Sequence, residues 1–175
     1  MSRAASHAAP VARINAPSAH PFSPPDIVLP TAPEDERIWV PLKEGVWLRP
    51  LMYNTVQGGW CEVVKVTGGG FVSRHRHPAP VHGLVLKGAF RYLEHDWIAD
   101  EGTYIYEPPG EVHTLVVDED CPEMHCFFAI SGSVNYVDEE GRDVRAEDVF
   151  HRLDRARQHY EEVGLGADYV QNFVR

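Results

Sequence analysis

Between Val46 and Tyr136 the chain is a succession of short runs rich in Val, Ile, Phe, Tyr and Trp, each closed by turn residues. That pattern belongs to an all-β sandwich or barrel. Expected strands are Val46–Tyr53, Gly59–Thr67, Phe71–His77, His82–Leu86, Ala89–Glu94, Thr103–Glu107, Val112–Val117, Met124–Ile130 and Ser133–Val137. Glycine supplies most of the punctuation, at Gly58, Gly59, Gly68 to Gly70, Gly88, Gly102, Gly132 and Gly141. No fixed period recurs, which disfavours solenoids and propellers.

The 175 residues suffice for one domain with a proper core and are few for two. Residues 1–25 are rich in Ala, Ser and Pro with few large apolar side chains, so they are expected to form a mobile arm, with His7 and His20 as solvated tail histidines. The single domain is then 26–175. From Ile27 to Pro41 apolar residues return but prolines interrupt them, which suggests an extended strap packed on the domain or a neighbouring subunit. At the other end, Val149, Leu153, Ala156, Tyr160 and Val163 recur at spacings of three and four before Gly164. This predicts an amphipathic helix over Ala146–Val163, with Glu147 and Asp148 suited to its positive end and His151 and His159 on its surface.

With 26 acidic against 16 basic residues, and no block of Lys or Arg, the chain lacks the electrostatic footprint of a nucleic-acid binder. Cys61, Cys121 and Cys126 are odd in number and lack Cys-x2-Cys spacing, so neither a disulfide framework nor a thiolate metal site is indicated. A reduced, cytoplasmic setting is expected, with no signal-peptide core, no membrane span and no membrane partner.

Chemistry concentrates in a split histidine set. In a strand alternate side chains share a face, so His75 and His77 in SRHRHPAPVHG stand side by side within reach of one ion. His113 follows the rigid turn Pro108, Pro109, Gly110 and is placed to supply a third ligand from another strand. Gly69 to His77 reads Gly-x5-His-x-His, and Gly102 to His113 reads Gly-x5-Pro-x-Gly-x2-His.

These two stretches resemble, in order, the two signature motifs of the cupin superfamily. The resemblance implies a double-stranded β-helix, or jelly-roll, barrel with the C-terminal helix and N-terminal arm appended. The stretches HRHPAPVHGLVLKGAFRYLEHDW, GTYIYEPPGEVHTLVV and HYEEVGLGADYV are similar to the 2,4'-dihydroxyacetophenone dioxygenase family, and more distantly to acetylacetone dioxygenase. Many cupins carry a glutamate ligand where this chain has Val81, and the adjacent His82 should face the other side of its strand. Val117 stands where the second motif often has Asn.

A divalent ion held by three neutral imidazoles keeps its full charge and leaves coordination positions open, which favours an anionic, bidentate substrate. A hydroxyketone as its enediolate, or a diketone as its enolate, meets that need. Imidazoles suit iron, zinc, nickel and copper alike. The resemblance implies Fe(II), with Zn or Ni possible as purified. It also implies cleavage by dioxygen of the bond between the carbonyl and hydroxymethyl carbons of 2,4'-dihydroxyacetophenone, giving 4-hydroxybenzoate and formate.

Around the ligands, Glu107 precedes the Pro-Pro-Gly turn, where a carboxylate can accept the free ring N–H of a ligand histidine. Tyr92, Tyr104 and Phe128 are candidate substrate contacts from strands that should line the barrel. Arg74 and Arg76 should point away into ion pairs, and Glu94, His95 and Asp96 read as the solvated end of a hairpin. Two competing readings are a non-catalytic cupin that binds zinc or a small ligand, and a non-redox isomerase or lyase in which the metal polarises a carbonyl. Exposed barrel faces, the strap and the family resemblance together lead to an expected homodimer or homotetramer.

Overall fold

The computed structural model describes residues 20, 22–33 and 35–175, so the expected arm lies almost wholly outside the described residues. Among these described residues twelve strands follow in chain order. They are β1 (Val40–Lys43), β2 (Val46–Asn54), β3 (Gly59–Thr67), β4 (Phe71–Arg76), β5 (Val81–Lys87) and β6 (Ala89–Tyr92), then β7 (Ala99–Asp100), β8 (Tyr104–Glu107), β9 (Val112–Val116), β10 (Glu123–Ser131), β11 (Ser133–Val137) and β12 (Asp143–Asp148). One sheet runs β1-β2-β3-β10-β5-β8 and the other β12-β11-β4-β9-β6-β7, each six-stranded. All the strand pairings are antiparallel. This is the jelly-roll arrangement of the expected all-β fold.

Alternation dictates which face each strand buries. Along β10, Met124, Cys126, Phe128 and Ile130 are buried while His125, Phe127 and Ala129 are only partly covered. On its neighbour β3, Trp60, Glu62, Val64 and Val66 are buried. The apolar side chains among these join Val85, Phe90, Tyr92 and Leu115 in one core between the sheets. The β5–β6 hairpin turns at Gly88, whose φ is +70° and where an added Cβ would lie 2.4 Å from the Glu123 carbonyl oxygen. No other residue fits there.

The helix is shorter than the periodicity predicts: α1 spans Val149–Glu162, and Ala146 to Asp148 belong to β12. Asp148 caps it, its carboxylate accepting from the backbone N–H of Phe150 and His151. Glu147 is therefore not a first-turn acid but the inward residue of a strand, 3% exposed. The helix buries Val149, Arg152, Ala156 and Tyr160 against β1, β2 and β12. Tyr53 Oη donates to the Arg152 carbonyl at 3.3 Å and Tyr160 Oη to that of Ile38 at 3.1 Å. His159 is not a free surface residue, since its Nε2 donates to the Arg37 carbonyl at 2.9 Å.

In the expected strap, Leu29 is half-buried against the core. Cys61, Cys121 and Cys126 are unbridged. Among the described residues, no helix is long and apolar enough to cross a membrane.

Candidate metal centre

His75 and His113 sit directly opposite each other across the β4–β9 pair. A register shift between Val72 and His75 precedes this pairing. His77 follows one residue past the end of β4. The ring centroids are 4.6 Å apart for His75 and His113, 5.0 Å for His75 and His77, and 5.7 Å for His77 and His113. One ring nitrogen from each lies within 4.8 Å of the others.

Local backbone sets the ring orientations. His75 Nδ1 lies 2.7 Å from the Ser73 carbonyl and His77 Nδ1 lies 3.1 Å from that of Ser133. A carbonyl only accepts, so each Nδ1 carries the proton and each Nε2 keeps its lone pair. Burial disfavours the imidazolium forms, taking His75 down to about 4. It takes His77 to about 3 and His113 to about 2, with the neighbouring imidazoles adding to both shifts. Neutral rings with free lone pairs are what a divalent ion binds. Both nitrogens of His113 and Oε2 of Glu107 are buried without a hydrogen-bond partner, and the approach of His113 Nε2 to Glu107 Oε2 at 3.5 Å suits a cation between them.

Glu107 approaches from the other sheet, where β8 sets it opposite Val81 of β5. For His75 and His77 the ring N–H expected to reach Glu107 is taken by the carbonyls of Ser73 and Ser133, while His113 Nδ1 has no partner. Instead Glu107 Oε2 lies 3.5 Å from Nε2 of both His77 and His113, while Oε1 accepts a hydrogen bond from Tyr92 Oη. Burial raises the Glu107 carboxyl to about 7 although the Tyr92 bond pulls the other way. The following turn is pinned to the site, since Gly110, at φ +86°, donates its N–H to the His77 carbonyl at 2.7 Å.

A cavity opens beside the histidines. Leu48, Val64, Val72, Val81, Leu115, Phe128, Ile130 and Val134 give it apolar walls, and Tyr92 and Tyr136 border it. Val81 is buried among these walls. Tyr92 stacks on His113 with centroids 4.3 Å apart and planes at 14°. Of the three expected substrate contacts, Tyr92 and Phe128 line this cavity and Tyr104 does not. Tyr104 is 61% exposed and bonds His82 Nδ1 on the outer face at 2.8 Å. Parity is the reason: Ile105 and Glu107 take the inward positions of β8.

Other neighbours sort by the same rule. Arg76 pairs with Asp143 through two bonds of 2.8 and 2.7 Å, and Arg74 Nε lies 3.9 Å from Glu94, both directed away from the cavity. Glu94 is not merely solvated: it accepts from Thr114 N at 2.7 Å and Thr114 Oγ1 at 2.9 Å, bracing β9 beside His113.

Two cavity residues escape a sequence reading, Glu62 of β3 and Arg152 of α1. Both are buried. Burial holds Glu62 above the usual carboxylate range, with Arg152 partly offsetting it. A signal existed in each case, because Glu62 alternates with Trp60, Val64 and Val66, and Arg152 falls three residues after Val149 and four before Ala156.

Comparison with known proteins places this geometry in a family. Residues 31–135 match the family described as the ChrR cupin-like domain. No curated protein matches the chain. Among solved structures, an RmlC-like cupin from Ralstonia eutropha is 25% identical, covering 78% of this chain and 90% of that one with a TM-score of 0.69. An acetylacetone dioxygenase from Acinetobacter johnsonii is 15% identical over 78% of this chain and 97% of that one, TM-score 0.66, and shares the fold. With more than half its length matched and the three buried histidines between jelly-roll sheets, the chain belongs to the ChrR cupin-like domain family.

Proposed function

We propose that this protein is an Fe(II)-dependent dioxygenase that cleaves the carbon–carbon bond beside a carbonyl in an enolisable hydroxyketone or diketone. The observation that carries the reading is the all-histidine donor set, His75, His77 and His113, with Val81 where cupins often place a ligand carboxylate. The likeness to acetylacetone dioxygenase supports it. Bound iron would supply a Lewis acid and a partner for dioxygen. The chain's residues do the rest. Glu107 faces the cavity, held by Tyr92, and takes the proton the substrate loses on enolisation. Phe128, Val81 and Leu115 exclude water from the reacting face.

The proposed substrate is 2,4'-dihydroxyacetophenone, split with one molecule of dioxygen into 4-hydroxybenzoate and formate, both oxygen atoms ending in the two acids. The substrate supplies the electrons, so no reducing cosubstrate is used. We read the working form as a homodimer or homotetramer in the cytoplasm.

The competing reading is a zinc-binding cupin without catalysis. Metal analysis after anaerobic purification, combined with oxygen-electrode traces during addition of hydroxyketones and diketones, separates the two. Iron with substrate-dependent oxygen uptake supports the dioxygenase. Zinc with no uptake across the panel overturns it, and metal-dependent turnover without uptake indicates an isomerase or lyase.

A further inference from the structure

The wall of the histidine cavity contributed by β3 and α1 holds two charged groups that the metal chemistry does not use. Glu62 and Arg152 have side chains 2% and 4% exposed, and both line the same cavity as His75 and His77. Arg152 Nε is 3.9 Å from Glu62 Oε1, too long for a hydrogen bond. Glu62 Oε2 and Arg152 Nε and Nη1 make no hydrogen bond of good geometry, although the Trp60 side chain approaches Glu62 and Nη1 lies 3.1 Å from Glu147 Oε2. A buried acceptor and a buried donor left open side by side are costly unless something fills the gap between them.

We propose that Glu62 and Arg152 form a subsite for a neutral hydroxyl group of the substrate, the hydroxyl donating to Glu62 Oε2 and accepting from Arg152 Nε. Charge balance selects a hydroxyl over a carboxylate. The Arg152 guanidinium is already faced by two carboxylates, Glu62 and Glu147, and Glu147 is held in turn by Arg155 at 2.9 Å and Arg145 at 3.3 Å. Arg145 and Arg155 act on Glu147, so an anionic ligand in the gap would meet the Glu62 carboxylate with only Arg152, already shared with Glu147, to offset it. A hydroxyl is donor and acceptor at once and matches both open groups. Apolar side chains line the rest of the cavity beside the pair.

This inference rests on reading the cavity as the substrate site, and its test uses binding alone. Calorimetric affinities of the purified protein are compared for 4-hydroxyacetophenone, 4-methylacetophenone and 4-acetylbenzoate. The hydroxyl compound should bind roughly tenfold to a hundredfold more tightly than the methyl compound, the range for a hydrogen bond to a charged group. The carboxylate should bind no better than the methyl compound. In the double variant Glu62→Leu with Arg152→Met, which removes both charges together and leaves Glu147 paired with Arg155 and Arg145, the preference should vanish while methyl-compound binding persists. Circular dichroism checks that this variant folds, and Glu62→Gln alone should reduce the preference if it does not. Equal affinities for hydroxyl and methyl compounds, no binding of either, a preference for the carboxylate, or a preference surviving in the variants overturns the subsite. Hydroxyl selectivity without oxygen uptake sinks the dioxygenase reading and leaves the subsite standing.

Discussion

Tyr92 donates its hydroxyl to Oε1 of Glu107 and thereby leaves Oε2 to face Nε2 of both His77 and His113 at 3.5 Å. The tyrosine, stacked on His113, thus orients the carboxylate and covers one ligand ring at once. Glu107→Gln keeps the shape and removes the charge. We expect metal affinity to fall about tenfold to a hundredfold, the usual cost of losing a group that tunes a metal site. Competition with a fluorescent chelator measures it, and unchanged affinity would show that Glu107 does not sense the ion.

His75 and His113 are cross-strand partners, so removing either leaves two donors. His75→Ala and His113→Ala should lose stoichiometric metal while the barrel stays folded. Chelator should lower the unfolding temperature of the parent, because a ligand bound only to the native state stabilises it, and should do nothing to the variants. Metal retained at full stoichiometry in both refutes the ligand assignment.

What could be read in advance follows from the range of the signal. The three-histidine cluster was legible because His-x-His is local and the Pro-Pro-Gly turn sets His113 a fixed step away. Strands such as β3 and β10 were legible because their period-two burial is written in consecutive residues. β12 was not, since Val144 and Arg145 are exposed and Glu147 and Asp148 resemble a helix start. β1 carries Pro41, and β7 is two residues long. Glu62 and Arg152 meet only because α1 packs onto the barrel along β1, β2 and β12, a tertiary event that no local pattern encodes. Tyr104 was misplaced by a single residue of parity, which is enough to reverse a face.

That parity has a direct check. Tyr104→Phe removes only an outer-face bond to His82 and should change stability by less than about 0.5 kcal/mol, with turnover unaffected. Tyr92→Phe leaves the buried Glu107 Oε1 without its donor and should cost about 1–3 kcal/mol in metal-free protein. Urea denaturation of both in chelator compares them. A larger loss for Tyr104→Phe would reverse the assignment.

Asp148 makes the boundary between β12 and α1 a pH-dependent element. Its Oδ1 accepts from Phe150 N at 3.0 Å and His151 N at 3.1 Å and lies 2.7 Å from His151 Nδ1. The His151 contact, followed by the backbone bonds, holds its carboxyl below the usual carboxylate range. Since the folded value is the lower one, the stabilisation is fully present above the unfolded value of about 3.9 and is lost as pH falls through the folded value. Asp148→Ala should therefore cost about 1 kcal/mol near neutral pH, the usual worth of an N-cap, with the gap to the parent narrowing below about pH 4. Asp148→Asn keeps the capping oxygen without the charge, so it should lose less and contribute no pH dependence of its own. Denaturant melts of the three proteins between neutral and acid pH decide it. A gap between Asp148→Ala and the parent that stays constant on acidification would mean that the carboxylate charge contributes nothing and the cap acts through geometry alone.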